Sequence, residues 1–253
     1  MVVCAVAVVG VRHFRGGPRY TDVKGAQLVH YTLASKLTGD DLHEIGVVPA
    51  RHGRWLLVLL HGRGSPPAQF LSNPFFAELA QLGKKAPIVV LLDGGDHSYW
   101  HDRADGRWAS MVTREAIPDA RRRFRTTGAL AIGGISMGGY GALHIATLAP
   151  RAYCAVGGHS AALWTSAGAT APGAFDDASD YERNDVFAAA TKLKGVPVWL
   201  DGGDHDPFHD ADTAFARLVH ATLHVWPGGH DQKYWNAHIA QYLRFYARNC
   251  DPG

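Results

Sequence analysis

Ser136 lies in the segment Gly-Ile-Ser-Met-Gly (134–138), between an apolar run and a helix-like stretch. This pattern predicts a strand, a sharp turn and a helix, with the serine hydroxyl exposed on the turn above a sheet. The flanking glycines suit such a turn because a Cβ there would collide with the neighbouring backbone. The N-terminus of the following helix offers free N–H groups where an oxyanion would form. The chemistry predicted is nucleophilic attack by a serine hydroxyl.

A serine nucleophile needs a base within hydrogen-bond distance, and the base needs a carboxylate to orient it. His230 follows the last predicted strand on a Gly-Gly turn, and it is the best placed of the 15 histidines. The turn after the preceding strand carries three carboxylates, Asp201, Asp204 and Asp206. We predict that Asp206 is the acid, with the other two as alternatives. A turn this rich in Asp and His could also hold a divalent cation, but we predict that the chain has no metal site.

The oxyanion would need a second backbone N–H besides that of Met137. The segment Leu60-His61-Gly62-Arg63-Gly64 follows an apolar strand, and its glycines would let a backbone amide face the pocket. We assign the amide of Arg63 to this role, with that of Gly64 as the alternative one residue away.

Apolar runs and amphipathic stretches alternate along the chain and would position these groups. Residues 27–35 and 42–49 alternate between apolar and polar side chains, which predicts an antiparallel pair with one solvated face. The alternation of strands and helices predicts an α/β fold, a mostly parallel sheet with helices on both faces and its ligands at the carboxyl ends of the strands. The further predicted strands are 55–60, 88–92, 129–132, 153–156, 196–200 and 223–226, and the helices are 75–82, 108–124, the stretch after Ser136, 186–193, 212–220 and 232–248.

The same six residues, Leu-Asp-Gly-Gly-Asp-His, follow two of these strands, at 92–97 and at 200–205. The flanking sequences differ, and the spacing matches no solenoid repeat. We interpret the two copies as strand ends with similar turn chemistry.

Composition limits the class of protein and its partners. The chain has 253 residues, enough for one α/β domain, and a formal net charge of +2, which gives no reason to expect nucleic-acid binding. Cys154 lies in an apolar run and reads as a small buried side chain, whereas Cys4 and Cys250 could pair only if the two ends meet. No cofactor is predicted. The sequence does not determine the oligomeric state or the cellular compartment, and an exported protein is as compatible with it as a cytoplasmic one.

Residues 1–25 precede the predicted domain, which we place at 26–253. The apolar part, 2–11, is too short to span a bilayer, so no stable membrane span is predicted. Two interpretations are open: an N-terminal arm, or the remnant of an export or anchor segment. Residues 161–180 interrupt the alternation of strands and helices, and we predict that they form a short cap over the carboxyl edge of the sheet.

Five sequence blocks in this order resemble the putative-esterase family of α/β-hydrolases. That family includes S-formylglutathione hydrolases, feruloyl and acetyl-xylan esterases, and mycolyltransferases. The resemblance covers about residues 26–248, and the family pattern places its acid two residues before the Phe of the fourth block, which supports Asp206. The blocks are Leu59-Leu60-His61-Gly62, Asp93-Gly94-Gly95 with Ser98-Tyr99-Trp100, 134–139, 203–208, and 227–231 with Tyr234-Trp235.

The resemblance implies a serine carboxylic-ester hydrolase that works through a Ser-His-Asp triad and an acyl-enzyme. An acyltransferase with a sugar or alcohol acceptor is the alternative, and a non-catalytic envelope or binding protein is a third. We expect a small-molecule or carbohydrate-linked ester of modest size as substrate, because the cap is short. We predict that five residues form the walls of the substrate pocket, because aromatic side chains would suit an acyl or aryl group: His97, Tyr99, Trp100, His159 and Trp164. For each of them, a place in the core or at the rim is the alternative.

Overall fold

The structure, a computed structural model, describes residues 20–251. The strands in this range are β1 Gln27–Ala34, β2 Asp41–Val48, β3 Leu56–Leu60, β4 Ile88–Leu92, β5 Asp102–Arg103, β6 Gly106–Arg107, β7 Leu130–Ile135, β8 Ala155–His159, β9 Val198–Gly203 and β10 Leu223–Trp226. Eight of them form one sheet in the order β1-β2-β4-β3-β7-β8-β9-β10, and β5 pairs with β6 alone.

β1 and β2 are antiparallel to each other, and β2 is antiparallel to β4. All remaining pairs in the large sheet are parallel. The predicted α/β-hydrolase architecture, a mostly parallel sheet with an antiparallel N-terminal pair, is therefore confirmed.

The helices cover both faces of the sheet. β3, β4 and β7 are buried along their whole length, as continuous apolar runs require. One core lies between the sheet and α1 with α8, and the other between the sheet and the remaining long helices. The α-helices are α1 Asn73–Leu82, α2 Trp108–Met111, α3 Ile117–Phe124, α4 Met137–Leu148, α5 Ala178–Arg183, α6 Val186–Ala189, α7 His209–Val219 and α8 Gln232–Cys250; 3-10 turns lie at Pro67–Phe70, Gly83–Lys85, Pro150–Ala152, Ala167–Ala169 and Ala190–Leu193.

Local details refine the predicted elements. The predicted helix 108–124 is one helical stretch in which Val112–Ala116 adopts π geometry between α2 and α3. Helix α1 is capped by Ser72, whose Oγ accepts the Phe75 N–H at 3.4 Å. Most predicted strand and helix ends shift by a few residues, the usual uncertainty for element boundaries.

The start of the described chain packs on α1. The ring of Tyr20 makes an edge-to-face contact with Phe76 at 5.0 Å, and the Thr21 N–H donates to Asn73 Oδ1 at 2.8 Å. Of the segment interpreted as an N-terminal arm, residues 1–19 lie outside the described residues. Its division from a domain at 26–253 stays a prediction.

A disulfide joins Cys154 to Cys250, with a Cα–Cα distance of 5.3 Å. It connects the residue before β8 to the last residue of α8 across 96 positions of sequence. The interpretation of Cys154 as an unpaired buried side chain is therefore wrong. Sequence spacing could not reveal this bond, because only the packing of α8 across the sheet brings the two sulfurs together.

Candidate active site

Ser136 sits between β7 and α4 with φ 56° and ψ −116°, a backbone conformation that is strained for a residue with a side chain. The turn closes tightly, because a Cβ at Gly134 would overlap the backbone of Gly138, and a Cβ at Gly138 would overlap the carbonyl of Leu60. The Ser136 N–H donates to the His159 carbonyl at 2.9 Å. The two glycines and the strained serine together hold the hydroxyl at the carboxyl edge of the sheet.

His230 and Asp206 meet Ser136 at this edge. His230 Nε2 lies 2.8 Å from Ser136 Oγ, and His230 Nδ1 lies 2.9 Å from Asp206 Oδ2. A carboxylate can only accept here, so Nδ1 carries the proton and Nε2 accepts from the serine hydroxyl. The imidazole is therefore oriented to take the serine proton.

The turn that carries Asp206 and the turn that carries His230 are tied to each other. Asp204 Oδ1 accepts the Gly228 N–H at 2.9 Å, and Gly203 and Gly228 are in such close contact that a Cβ on Gly203 would overlap the Gly228 carbonyl. Asp204 therefore holds the two turns together and does not reach the histidine. Asp201 is fully buried and binds other groups, so only one of the three candidate carboxylates faces His230.

Asp206 is shielded from water, being 5% exposed. Burial alone would raise the pKa of its carboxyl, but the hydrogen bond and charge of His230 lower that pKa below its usual value, as does the Phe208 N–H, 2.9 Å from Oδ1. A carboxylate held in its ionised form is what an imidazolium partner requires.

The backbone N–H groups considered for the oxyanion hole differ in whether they are hydrogen-bonded within the protein. Met137 is the first residue of α4, so its N–H has no partner within the helix. The Gly62 N–H donates to Gln69 Oε1 at 2.8 Å, and the Gly64 N–H donates to the Asp96 carbonyl at 2.9 Å. The Gly64 N–H, the alternative, is therefore engaged within the protein, and the assignment of the Arg63 amide to an oxyanion hole stays a prediction.

His61 supports this loop from inside the core. Its Nε2 accepts the Gly94 N–H at 2.9 Å, so Nδ1 carries the proton and donates to the Gly62 carbonyl at 2.9 Å. Burial lowers the pKa of His61, which favours this neutral form. The sequence placed His61 in a family block without giving it a role and did not single out Gln69, because no motif predicts which side chains will fold back on a loop.

Two of the five predicted pocket walls are core residues instead. The Trp100 side chain is fully buried, and its Nε1 donates to the His61 carbonyl at 3.2 Å. The His159 side chain is also fully buried, with both ring nitrogens bonded inside the protein. The prediction that they line the pocket is wrong, because both side chains point into the packed interior.

The other three predicted walls differ in exposure. Tyr99 is 3% exposed, and its ring packs against Trp164 and Phe175. Trp164 is half-buried, and His97 is exposed. The last two therefore stay predictions as substrate contacts.

Phe208 is a candidate that the sequence analysis missed. Its ring contacts His230 edge to face at 5.2 Å and Trp164 at 5.5 Å. It therefore links the cap to the site. The signal was available, because Phe208 belongs to the block that carries Asp206.

Three residues of the segment 161–180, which is the predicted cap, make polar contacts with arginines outside the segment. Arg103 pairs with Asp176 at 2.6 Å and donates to the Gly173 carbonyl at 3.1 Å, while Arg63 donates to the Pro172 carbonyl at 3.1 Å.

Within residues 20–251, no cluster of His, Cys, Asp or Glu side chains has an arrangement suited to a metal ion. The same part of the chain contains no helix long and apolar enough to cross a membrane.

Comparison with known proteins identifies the family of this chain. The family model described as "Putative esterase" matches residues 56–246. An acetyl esterase of Caldicellulosiruptor saccharolyticus is 26% identical over 230 residues, which are 77% of this chain and 84% of that protein.

Solved structures share the fold at lower identity. An S-formylglutathione hydrolase from Agrobacterium tumefaciens matches with a TM-score of 0.75 at 15% identity, over 91% of this chain and 98% of that one. A ferulic acid esterase matches with a TM-score of 0.70 at 22% identity, over 89% of this chain and 98% of that one. The family match covers most of the sequence, so the chain belongs to the putative-esterase family and is a serine esterase of the α/β-hydrolase fold.

Proposed function

We propose that this member of the putative-esterase family hydrolyses carboxylic esters by two-step acyl transfer through a triad of Ser136, His230 and Asp206. Ester hydrolysis follows from the family. The observation that carries the finer proposal is the unbroken chain of hydrogen bonds from Ser136 Oγ to His230 Nε2 and from His230 Nδ1 to Asp206.

In the first step Ser136 Oγ attacks the ester carbonyl carbon while His230 Nε2 takes the hydroxyl proton. The carbonyl oxygen becomes an oxyanion, which the amides of Met137 and Arg63 would bind. The C–O bond of the ester then breaks, and His230 returns the proton to the leaving alcohol. The product on the enzyme is an acyl ester of Ser136.

In the second step water replaces the alcohol. His230 takes a proton from water, the hydroxide oxygen attacks the acyl carbon, and the proton returns to Ser136 Oγ as the acid leaves. His230 has 21% of its side chain exposed, which supports access of water to its Nε2. Asp206 compensates the imidazolium charge in both steps.

The proposed substrate is a small-molecule or carbohydrate-linked ester of modest size. Two facts support it: the acetyl esterase relative acts on a small acyl group by its name, and the segment 161–180 adds only short helical turns over the site. Trp164 and Phe208 would form the aromatic side of the acyl pocket.

The test measures hydrolysis of p-nitrophenyl esters from acetate to palmitate and labelling by a fluorophosphonate. We expect turnover and one label per chain for the wild type, and loss of both for Ser136→Ala. Ser166→Ala, a change at an exposed serine of the cap, is the matched control and should keep both.

The same assay separates hydrolysis from acyl transfer. With an alcohol or sugar acceptor present, free acid should remain the main product of the wild type. A dominant transesterified product would instead assign the chain as an acyltransferase. Labelling without turnover on any ester would point to other acyl substrates, and no labelling of folded protein would reject the triad.

A further inference from the structure

Gly62, in the loop after β3, lies against the nucleophile. A Cβ built on Gly62 would come within 3.4 Å of Ser136 Cβ. The Ser65 N–H donates to the Gly62 carbonyl at 3.1 Å, which closes a four-residue turn with Arg63 and Gly64 at its centre. Gly64 has a φ of 65° and Arg63 a negative φ, the backbone of a type II turn. The proposed oxyanion donor, the Arg63 N–H, therefore belongs to a defined turn beside the serine.

The direction of the Arg63 N–H depends on how Gly62 is held. The Gly62 carbonyl accepts both the Ser65 N–H and the Nδ1 proton of His61, the latter at 2.9 Å. The peptide unit that joins Gly62 to Arg63 is planar and trans, so its N–H points away from these two donors. Whatever fixes Gly62 thus also fixes the amide that follows it.

Gln69 holds Gly62 from its other side. Gln69 Oε1 accepts the Gly62 N–H at 2.8 Å. Gln69 is 4% exposed and lies in the 3-10 turn Pro67–Phe70, so its amide is enclosed and has little freedom. With His61 on the carbonyl and Gln69 on the N–H, two buried side chains hold both polar groups of Gly62.

The backbone of Gln69 is itself anchored to α8. Gln232 Nε2 donates to the Gln69 carbonyl at 3.1 Å and to Asn236 Oδ1 at 2.9 Å. Gln232 is the first residue of α8, two positions after His230. The acceptor of the Gly62 N–H is therefore carried by a turn that is tied to the helix following the base.

We propose that Gln69 is a positioning residue for the oxyanion hole: by holding Gly62, it directs the Arg63 N–H toward the oxygen on which charge develops when Ser136 attacks the ester. Gln69 touches none of the reacting atoms. This inference rests on the proposed triad and on the assignment of the Arg63 amide.

Gln69→Met tests the role, because Met has a similar volume and no acceptor for the Gly62 N–H. Loss of an oxyanion donor costs about 10²–10³ in kcat, and a misplaced donor costs less. We therefore expect kcat to fall about tenfold to a hundredfold, with little change in KM. The acid limb of the pH–rate profile should stay in place, since Gln69 contacts no group of the triad.

A trifluoromethyl ketone supplies a readout that a purely structural role would not move. It adds to a serine hydroxyl and forms a tetrahedral oxyanion, so it measures binding of the transition-state charge without turnover. Its Ki, referred to the concentration of active sites, should rise in Gln69→Met by about the factor that kcat loses.

Ser72→Ala is the matched control. Ser72 is also buried, and its side chain also accepts a backbone N–H, that of Phe75 at 3.4 Å, but at the start of α1. This change should lower Tm and leave kcat and Ki unchanged.

Arg63→Pro tests the amide itself. Proline removes the N–H at the position of a type II turn where proline is favoured, whereas Arg63→Ala removes only the guanidinium. Arg63→Pro should lose about 10²–10³ in kcat, and Arg63→Ala far less.

Wild-type kcat and Ki in folded Gln69→Met would overturn the positioning role, and so would a lower kcat with an unchanged Ki. If Gln69→Met does not fold, Gln69→Asn decides by the same two values, because its amide is one methylene shorter. Equal kcat in Arg63→Pro and Arg63→Ala would reject the oxyanion assignment and with it the role of Gln69. Retained turnover in Ser136→Ala would reject the triad, whereas an unaffected Gln69→Met beside an inactive Ser136→Ala rejects the positioning role alone.

Discussion

Two His–Asp pairs lie side by side at the carboxyl edge of the sheet, and their geometry is nearly the same. His230 Nδ1 is 2.9 Å from Asp206, and His159 Nδ1 is 2.7 Å from Asp201. The first histidine has 21% of its side chain exposed, and the second has none. The difference lies in the other ring nitrogen: His230 Nε2 meets Ser136 Oγ, whereas His159 Nε2 meets the Tyr246 hydroxyl.

The buried pair is saturated with hydrogen bonds. Besides the histidine, Asp201 accepts from Trp199 Nε1 at 2.9 Å and from the hydroxyls of Tyr242 and Tyr234 at 2.6 and 3.2 Å. The His159 ring stacks on Tyr242 with centroids 3.6 Å apart. These contacts enclose His159 and Asp201 and leave no space for a substrate. The pair therefore has a structural role, in which it joins β8, β9 and α8. Whether a His–Asp pair can act as a catalytic base therefore depends on the group that contacts Nε2 of the histidine, and not on the hydrogen bond between the histidine and the aspartate.

Asp206→Asn should separate the two pairs most strongly. An Asn side chain favours the wrong imidazole tautomer, so kcat should fall about 10⁴-fold with the fold intact. Ester hydrolysis at saturating substrate measures this loss. Asp204→Asn is the control and should cost far less; a larger loss there than at Asp206 would mean that the acid is Asp204.

Asp201→Asn should show the reverse pattern. An Asn side chain replaces one acceptor oxygen by an NH2 group and leaves buried donors of this network unsatisfied, which should cost about 3 kcal/mol of unfolding free energy. This loss corresponds to a fall in Tm of about 10 °C for a chain of this size. The activity of the folded fraction should stay within a few fold of wild type. Thermal unfolding with kcat on the same samples tests this, and a stable but inactive variant would show that the buried pair takes part in the reaction.

Sequence reasoning found the strands, the turn that carries Ser136, and His230 with Asp206, because each has a local signature: an apolar run, glycines around a serine, or a histidine after a strand. It misplaced His159, because burial of a ring depends on α8, which is distant in sequence. The repeated hexapeptide makes the same point. Asp93 accepts the His43 N–H of strand β2 and is half-buried, whereas Asp201 is enclosed by aromatic side chains. The interpretation of both copies as similar turns is wrong for this reason.

Removal of the disulfide should affect stability on the side of the buried pair. Cys154 and Cys250 join β8 to α8, the elements that His159 and Tyr246 also join. The double variant of Cys154→Ser and Cys250→Ser should lose about 2–4 kcal/mol of unfolding free energy, because the unfolded chain has more conformational entropy without the cross-link. Its kcat should be unchanged. Denaturant unfolding measures the loss. A reductant should lower the stability of the wild type and leave the double variant unaffected; an equal response of both would place the effect elsewhere.

The smallest effect concerns Asp212, which interacts with both pairs. It is fully buried, and neither carboxyl oxygen has a partner of good geometry among the described residues. Burial, then the charges of Asp206 and Asp201, raise its pKa well above the usual value. The folded chain therefore keeps a proton that the unfolded chain loses above about pH 4, so stability from this group is full below that pH and is lost as the pH rises.

Asp212→Asn removes this dependence, since an amide does not titrate. The difference in Tm between the variant and the wild type should therefore move in favour of the variant between pH 4 and pH 7. Glu44→Gln is the matched comparison: burial also raises the pKa of Glu44, at a site away from both pairs, and its Tm difference should move in the same direction. If Asp212→Asn shows the same Tm difference at both pH values while Glu44→Gln does not, Asp212 is ionised in the folded protein. The two His–Asp pairs would then interact with a third buried charge, and the groups that contact their second ring nitrogens would no longer be enough to explain the different roles of the pairs.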